Sequence, residues 1–525
     1  MIIDDLSNLP ARGSRRRTVI LGSGAIGLHL AAQLVGRGLD VVVVEAGRSR
    51  LGQFSPDSWA SIGQPHGGIK LGRSRSVGGT TNLWGGQLVE FQPIDFDGRE
   101  WLPGSRWPIR HAEVAPYYAK TFEALGFDEH SRVDENVWRD IGASPPDLGD
   151  DLEVFLTRWM RVPNFAELYA RTLERDENVK LLTGLTAVGF RGGARITHVR
   201  VVDEAGRSHT IAGDDFVLAT GTIENARLLL AAQIDDELSC PWRENRNVGG
   251  LFQDHFGGCV ANITPTNPKK FFDTYCTIVS RGFKYQPKMR LRDDVQRRVA
   301  IHNIQGLVAF ESAASEHLVY LKQFLRAAVF RRKISTEGGG VAGLFAGFKY
   351  LLPLMWRYVA DHRVFVPSTS KVKLLVQAEQ EPCARSRLTV DGSHRDAYGL
   401  PRVVLDWQWS GAEVESLREF TLRVGRALRD AGLATLEIDP LLLAADPKFL
   451  TTLTDTIHQT GGAVMGDSAA DGVVDRDLRV FGTENLFVGG ASTFRTNSNA
   501  NVTFTALALA TRLADHLAAH RDGAP

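Results

Sequence analysis

The chain has 525 residues, too many for one ordinary hydrophobic core, and we therefore expect two or more sizeable domains. Lysine plus arginine and aspartate plus glutamate each number 61, so the formal net charge is zero. A chain without excess charge has no global field to attract nucleic acid or an anionic membrane, and neither is expected as a partner.

The four cysteines show no CxxC pair and no metal-type spacing to histidine. This fits either a reducing compartment or inert buried thiols, and we expect a cytoplasmic protein without disulfides or bound metal. No run of about 18 uncharged apolar residues occurs, so no transmembrane segment is expected. The basic SRRR segment before Thr18 is not read as a signal peptide, because the apolar stretch after it breaks at once into glycines.

The first predicted elements form a β-α-β unit, with a strand over 18–21, a helix from Ala25 to about Arg37, and a strand over 41–44 that ends at Glu45. The turn GSGAIG between strand and helix suits a tight bend, close approach to a pyrophosphate and close helix packing. Glu45 follows after roughly the 20 residues at which an acid accepts hydrogen bonds from a ribose. The unit predicts dinucleotide binding, and by itself it does not separate NAD from FAD.

A second glycine-rich segment, SVGGTTNLWGGQLVEF, covers 76–91. It is either an ordinary loop anchored by Trp84 or a loop that approaches a planar cofactor too closely for larger residues. Residues 181–222 then predict two strands and a third that ends near Ala219 and leads into a helix, which places Ala219 where ligands bind in open α/β sheets. The turn-rich stretch 247–256 leads towards a second domain, and 372–409 predicts antiparallel strands.

Residues 316–363 carry apolar side chains at helical spacing on both sides of a GGG run, with lysines and arginines between them. Such a basic amphipathic pair could lie on a membrane surface, cover an active site, or dock a subunit and so support oligomerisation. The simplest interpretation is a helical insertion that packs on its own domain.

The C-terminal part holds DTIHQTGGAVMG, a short strand over 486–488 that runs into glycines, and TNSNANVTFTALALA, which leads into a helix from Thr503 to about Leu517. Singly, a histidine such as His458 is usually structural, and an asparagine before a helix, such as Asn501, usually caps it. Because both accompany a nucleotide-binding unit, a catalytic pair becomes the better interpretation.

These motifs resemble those of the glucose-methanol-choline (GMC) oxidoreductase family, and most of all its pyranose-oxidase-like branch, which includes bacterial glycoside 3-oxidases. The resemblance extends over nearly the whole chain and is carried by GSGAIG with Glu45, GGTTNLWGG, ATGTIENARLLL, GGLFQDH, EQEPCARSRLTV, HQTGGAVMG and ANVTFTALALA. It implies an α/β fold with a Rossmann-like FAD-binding domain over 15–106, 180–258 and 455–520. A substrate-binding α+β domain on an antiparallel sheet would cover 107–179 and 259–454.

The resemblance further implies FAD as the cofactor, with His458 and Asn501 as the catalytic pair at its reacting face. Asn499 would only hold the turn, and Asn497 has no assigned role. The residues implied to bind FAD are Gly22, Ser23, Gly24, Ala25, Ile26, Gly27, Glu45, Ala46, Gly79, Thr80, Asn82, Ala187, Ala219, Gly490, Ala491 and Thr503.

Two positions depart from the pattern of the relatives. Pyranose oxidases have a histidine that bonds covalently to the flavin where this chain has Leu83, so FAD is expected to be bound without a covalent link. Many relatives have an aspartate where Gly490 stands, so a backbone contact would replace a side-chain contact there.

The implied reaction is oxidation of a secondary alcohol of a sugar or glycoside, at the C3 or C2 hydroxyl of a pyranose, by hydride transfer to flavin N5. His458 would take the hydroxyl proton, Asn501 would orient the hydroxyl, and oxygen or another acceptor would remove the electrons. The alternatives are a GMC enzyme acting on a non-sugar alcohol such as a sterol, a non-redox flavin-dependent lyase, and a scaffold protein with a vestigial nucleotide fold.

Overall fold

The structure is a computed structural model that describes residues 2–3, 16–49, 51–312 and 351–519. Most of the predicted insertion at 316–363 lies outside the described residues. Within its last part the chain forms a helix, Leu351–Val359. Among the described residues, no helix combines the length and the hydropathy that crossing a bilayer requires.

A six-stranded parallel sheet forms the nucleotide-binding layer. With strands numbered along the chain, its order is β1-β7-β3-β2-β11-β21. Its inner strands are short apolar runs such as DVVVV, as expected for a sheet covered on both faces. The strands are β1 (Ile2–Ile3), β2 (Arg17–Leu21), β3 (Asp40–Val44), β7 (Val179–Leu182), β11 (Asp215–Leu218) and β21 (Leu486–Val488).

A nine-stranded antiparallel sheet forms the second layer, in the order β19-β12-β16-β15-β14-β6-β5, with β13 paired to β14 and β20 to β12. This sheet is curled, and Gln377 on it donates from Nε2 to the carbonyl oxygen of Asn499 at 2.8 Å. The strands are β5 (Gln87–Leu88), β6 (Leu152–Trp159), β12 (Phe256–Pro265), β13 (Ile278–Ser280), β14 (Phe283–Leu291), β15 (Ile304–Glu311), β16 (Lys371–Ala378), β19 (Ala434–Ile438) and β20 (Thr454–Asp455).

Two three-stranded sheets complete the β-structure. The first contains the first two strands predicted in 181–222 and a further strand, β10, whereas the third predicted strand is β11 of the parallel sheet. The second contains the antiparallel pair predicted in 372–409 together with one parallel strand. The strands are β4 (Trp59–Gly63), β8 (Leu185–Gly192), β9 (Ile196–Asp203), β10 (Ser208–Ala212), β17 (Arg387–Arg395) and β18 (Pro401–Trp407).

Helices cover both layers. The first helix crosses over from β2 to β3 and packs against the last helix, where His29 Nε2 and Thr511 Oγ1 lie 2.8 Å apart. The helices are α1 (Ala25–Val35), α2 (Pro93–Phe96), α3 (His111–Ala124), α4 (Asp134–Asp140), α5 (Phe165–Leu168), α6 (Ala170–Arg175), α7 (Thr222–Gln233), α8 (Pro268–Tyr275), α9 (Asp293–Val299), α10 (Leu351–Val359), α11 (Glu413–Asp430), α12 (Pro440–Leu443) and α13 (Val502–Ala519).

The turn between β2 and α1 depends on one close backbone contact. A Cβ atom at Gly27 would lie 1.9 Å from the carbonyl oxygen of Gly22, whereas a Cβ at Gly24 would meet nothing within 4 Å. Gly24 also has an extended backbone, with φ −73° and ψ −167°, that any residue adopts. The two glycines therefore differ in purpose, since one is required by packing and the other leaves space free.

We expect Gly27→Ala to destabilise the protein by about 1–3 kcal/mol or more, because the methyl group has no room against the Gly22 carbonyl. Gly24→Ala is the matched control and should leave the unfolding transition of the cofactor-free protein nearly unchanged. Thermal unfolding followed by circular dichroism measures both. A Gly27→Ala variant as stable as the wild type would contradict the packing argument.

Candidate active site

A long cavity opens along the carboxyl ends of β2, β3 and β11 and continues to the first turn of α13. Most of the residues predicted to bind the cofactor meet there, although they come from distant parts of the chain. The predicted residues that line the cavity are Gly22, Gly24, Ala25, Ile26, Glu45, Ala46, Gly79, Thr80, Ala187, Ala219, Gly490, Ala491 and Thr503.

Ser23, Gly27 and Asn82 were predicted with this set and lie behind the cavity wall. Ser23 donates from its backbone N and its Oγ to Glu45 Oε2, at 2.9 and 2.7 Å, and so holds the carboxylate in place. Gly27 provides the close packing described above. Asn82 donates from Nδ2 to three oxygens, including the carbonyl of Gly79 at 2.9 Å, and thereby shapes the second glycine-rich turn.

The cavity fits a dinucleotide. No side chain caps the N-terminus of α1, and the open space in front of Gly24 leaves the first-turn N–H groups free to bind a pyrophosphate. Glu45 ends β3 on the cavity wall, where an acid can accept hydrogen bonds from a ribose. Within the described residues, the buried Gln459 Nε2 also lacks a partner, and Gln459 lines the same cavity. These features fit FAD and would hold it along this wall.

His458 and Asn501 lie next to this cavity and face each other. Asn501 Nδ2 is 3.0 Å from His458 Nε2, and both residues are half-buried. His458 follows β20, and its backbone N donates to Asp254 Oδ1 at 2.9 Å. Asn501 immediately precedes α13, whose first turn lines the cavity. The structure thus brings together the two residues that the sequence resemblance pairs.

The hydrogen bonds around His458 define which ring nitrogen carries the proton. His255 Nε2 lies 2.8 Å from the carbonyl oxygen of Asn497, which can only accept, so this nitrogen must be the donor. In a neutral His255 ring, Nδ1 is then an acceptor, and it lies 3.1 Å from His458 Nδ1. His458 Nδ1 therefore donates, with the Thr456 hydroxyl oxygen, 2.8 Å away, as a second acceptor, and its Nε2 lone pair faces Asn501.

The imidazole of His458 is strongly held in its neutral form. Burial, with the charges of His255 and Lys288, lowers the pKa of His458 to about 3. Burial likewise lowers the pKa of His255. A neutral imidazole with its lone pair on Nε2, facing the Asn501 amide, is a base that can accept a proton from a hydroxyl placed between the two.

Asp254 and His255 were not assigned a role from the sequence, although they form the end of the GGLFQDH motif. Burial raises the pKa of Asp254, but the hydrogen bond from His66 and the neighbouring histidines outweigh it and hold that pKa below its usual range. The carboxylate accepts the backbone N–H groups of His255 and His458, and His66 Nε2 lies 3.2 Å away. Asp254 thus fixes the backbone at both histidines.

Asp254 also belongs to a cluster with His66 and Asp455 whose potential ligand atoms lie within 4.8 Å of one another. The carboxylate oxygens of Asp455 already accept the backbone N–H groups of Gly67 and Gly68, at 2.6 and 2.8 Å. With its oxygens engaged by the protein, this cluster serves to hold loops together.

The neighbouring asparagines hold the segment before α13. Asn499 Nδ2 donates to Asn303 Oδ1 at 2.7 Å, and the Asn499 carbonyl accepts from Gln377 Nε2 at 2.8 Å. Asn497 Oδ1 accepts from the backbone of Gln380 at 3.2 Å. Asn499 therefore holds the turn as expected, and Asn497 gains the role that the sequence left open.

A dinucleotide cavity, an antiparallel sheet above it and a neutral imidazole at their junction define a flavin-dependent oxidoreductase. The sequence profile described as FAD dependent oxidoreductase matches residues 17–249, and the profile described as GMC oxidoreductase matches residues 382–510. The chain belongs to the GMC oxidoreductase family, whose members act on CH–OH groups with FAD.

Curated relatives and solved structures agree with this assignment. The paromamine 6'-oxidase of Streptomyces fradiae is 24% identical over 94% of this chain and 89% of its own. The C-glycoside 3-oxidase of Microbacterium trichothecenolyticum is 32% identical over 26% of this chain and 25% of its own. The crystal structure of pyridoxine 4-oxidase from Mesorbium loti superposes with a TM-score of 0.56 and 18% identity, over 95% of this chain and 99% of that one. This last likeness confirms the fold alone.

The lowered pKa of His458 predicts an unusual pH profile. The base must be unprotonated, and a lowered pKa moves the acid limb of kcat/KM to lower pH, so activity should persist well below the pKa of about 6.5 of free imidazole. His255→Phe removes one of the two acceptors of His458 Nδ1, leaving the Thr456 hydroxyl as the other, and removes the contribution of His255 that lowers the pKa of His458, so the limb should move towards neutral pH and kcat should fall. Steady-state kinetics across pH measures both effects. An acid limb near pH 6.5 in the wild type would contradict the account.

Proposed function

We propose that this enzyme oxidises a secondary hydroxyl of a sugar or glycoside, at C3 or C2 of the pyranose ring, to a ketone. The observation that carries the proposal is the pairing of His458 Nε2 with Asn501 Nδ2, 3.0 Å apart, beside the FAD cavity and below a polar sheet face. Bound FAD would supply the hydride acceptor.

The two side chains have complementary tasks towards an alcohol. The lone pair on His458 Nε2 accepts the hydroxyl proton, and the Nδ2 group of Asn501 donates a hydrogen bond to the hydroxyl oxygen. Asn501 Oδ1 is buried without a partner among the described residues, so it is also available to the substrate. As the proton leaves to His458 and the hydride leaves the carbon, the C–O bond becomes C=O.

The charge balance of the site supports this direction of proton transfer. His458 is neutral before the reaction and becomes an imidazolium after it. The carboxylate of Asp254, which accepts the backbone N–H of His458 at 2.9 Å, raises the pKa of His458 and would stabilise that cation. The N-terminus of α13 adds a partial positive charge at the cavity, which would stabilise negative charge on a reduced flavin bound there.

A sugar is favoured over an apolar alcohol such as a sterol by the chemistry of the sheet that roofs the site. The sheet face from which Gln377 reaches the segment before α13 carries carboxamides and hydroxyls, among them Gln87, Thr157 and Gln286, which hydrogen-bond to one another. Such groups can form further hydrogen bonds to the hydroxyl groups of a sugar, which an apolar ligand does not offer. The relatives named above as an oxidase of paromamine and a C-glycoside 3-oxidase give independent support.

Anaerobic mixing with methyl glycosides, C-glycosides, free sugars and sterols tests the proposal. We expect sugars or glycosides to bleach the flavin of the wild type, and His458→Ala to slow that reduction by about 10²–10⁴-fold with FAD still bound. Asn501→Ala should slow it as well. Bleaching by sterols but not by sugars would overturn the substrate class, and turnover without bleaching would point to a lyase.

We also propose that FAD is bound without a covalent link. Leu83, which stands where pyranose oxidases have the flavin-linked histidine, has no nucleophilic atom, and 49% of it is exposed. Precipitation of the holoenzyme with acid should therefore release the flavin into the supernatant, where its absorbance is measured. Flavin that remains with the denatured protein would show a covalent bond and disprove this.

A further inference from the structure

The two faces of the antiparallel sheet have different partners. On one face, Phe420 of α11 packs over Gly306, next to Leu374. On the other face, Gln377 of β16 reaches the segment before α13 through its bond to the Asn499 carbonyl, 2.8 Å away. Because side chains alternate along a strand, every second residue of β14, β15 and β16 faces the active site.

Strand pairing shows which residues share that second face. Gln305 of β15 lies opposite Gln377 on one side and opposite Arg290 of β14 on the other. Lys288 is two residues from Arg290 on the same strand, so it shares this face with Gln305. Gln87 of β5 belongs to the same face, because its Oε1 lies 3.3 Å from Lys288 Nζ.

Lys288 is buried without a counter-charge. It is 3% exposed, and within the described ranges no carboxylate forms an ion pair with it, so that Gln87 is its hydrogen-bond partner. Burial alone lowers the pKa of Lys288 to about 7. Its charge also contributes to lowering the pKa of His458, which places the amine close to the base. A buried ammonium without a counter-charge costs free energy, and a ligand that offers hydrogen-bond acceptors at this point would reduce that cost.

Gln305 is equally exceptional. It is 0% exposed, and neither its Oε1 nor its Nε2 has a hydrogen-bond partner in the part of the chain that the structure describes. Each unsatisfied buried polar atom costs about 1–3 kcal/mol, so proteins rarely retain one without use. A carboxamide that offers both a donor and an acceptor is matched by a hydroxyl group, which also offers both.

We propose that Lys288, Gln305 and Gln87 form a subsite that binds hydroxyl groups of an uncharged sugar, other than the hydroxyl that is oxidised. This inference rests on the proposed function and states which substrates the site selects. A substrate ammonium would be repelled by Lys288, and a sterol would leave Gln305 without a hydrogen-bond partner and Lys288 with Gln87 alone. The three residues would therefore set substrate affinity and orientation, while His458 and Asn501 carry the chemistry.

The test compares Lys288→Met and Gln305→Leu with Lys284→Met, a matched control because Lys284 is an exposed lysine on the same strand. For a glycoside that the wild type oxidises, each subsite variant should raise KM about 10–100-fold with a smaller change in kcat, as expected for loss of one hydrogen bond that involves a charged or buried group. Lys284→Met should behave like the wild type. Flavin content and thermal unfolding serve as folding controls.

A series of deoxy derivatives of that glycoside makes the assignment specific. With the wild type, one deoxy compound should show a kcat/KM reduced by the same factor as Lys288→Met shows with the parent sugar. When Lys288→Met is assayed with that deoxy compound, kcat/KM should fall little further than it does for either change alone. Binding of the same compounds to the oxidised enzyme, measured by calorimetry with His458→Ala, should show the same pattern without turnover.

The outcomes separate the two proposals. Suppose that the wild type oxidises glycosides while Lys288→Met and Gln305→Leu leave KM unchanged, or that the losses of kcat/KM from the deoxy compounds and from these variants are fully additive. The subsite assignment is then wrong, and the proposed function stands. A clear preference for a uronate over the neutral glycoside, abolished in Lys288→Met, would overturn the uncharged class. If no sugar bleaches the wild-type flavin, both proposals fail.

Discussion

The hydrogen bond between His255 and His458 is the interaction on which the active site depends. The carbonyl of Asn497 can only accept, and this constraint passes through His255 to His458, whose Nε2 lone pair is left facing Asn501 beside the cavity. A catalytic base needs the correct tautomer as much as a suitable position. Here the backbone of one loop determines the tautomer of a side chain that lies two hydrogen bonds away.

This line of contacts can form only where the two layers of the fold meet. Asp254 and His255 lie just before β12, His458 follows β20, and Asn497 and Asn501 precede α13. The pairing of β20 with β12 brings the two histidines side by side, and Asp254 binds the backbone of both. The antiparallel sheet thereby supplies the substrate face and also holds the base in register with the cofactor cavity.

A second buried network supports the same segment from the sheet side. Arg99 and Glu379 form a fully buried, two-point ion pair at 2.7 Å, and Glu379 also accepts the backbone N–H of Asn303. The Oδ1 atom of Asn303 in turn accepts a hydrogen bond from Asn499 Nδ2. The loop that carries Asn501 is thus fixed on both sides, as hydride transfer requires of a group that orients the substrate.

Local patterns predicted the fold well where they are strong. The β2-α1-β3 unit was predicted within two residues, except that α1 ends at Val35 because the Gly36 to Gly38 turn follows. The parallel and antiparallel layers were confirmed. His458 and Asn501 were found through motifs, since a single histidine or asparagine carries no local sign of catalysis. Domain boundaries and the insertion remain predictions.

The rest depends on packing that a sequence does not display. In FKYQPKMRL the apolar residues alternate, so Lys288 reads as one of the polar, solvent-facing positions of β14, and only the second layer buries it. Gln305 is one polar residue among apolar neighbours. His255 lies in a turn-rich stretch whose partners are more than 200 positions away, with 203 to His458 and 242 to the Asn497 carbonyl. Such contacts follow from topology and not from local pattern.

The protonation state of His458 tests the account most directly. Nitrogen-15 spectra of histidine-labelled protein, with His458 and His255 variants to assign the signals among the 14 histidines, report the tautomer and charge of each ring. We predict a neutral His458 with its proton on Nδ1 from about pH 5 to 8, and a loss of that single tautomer when His255→Phe is combined with Thr456→Val, which removes both acceptors of Nδ1. An imidazolium at neutral pH, or a proton on Nε2, would contradict the mechanism.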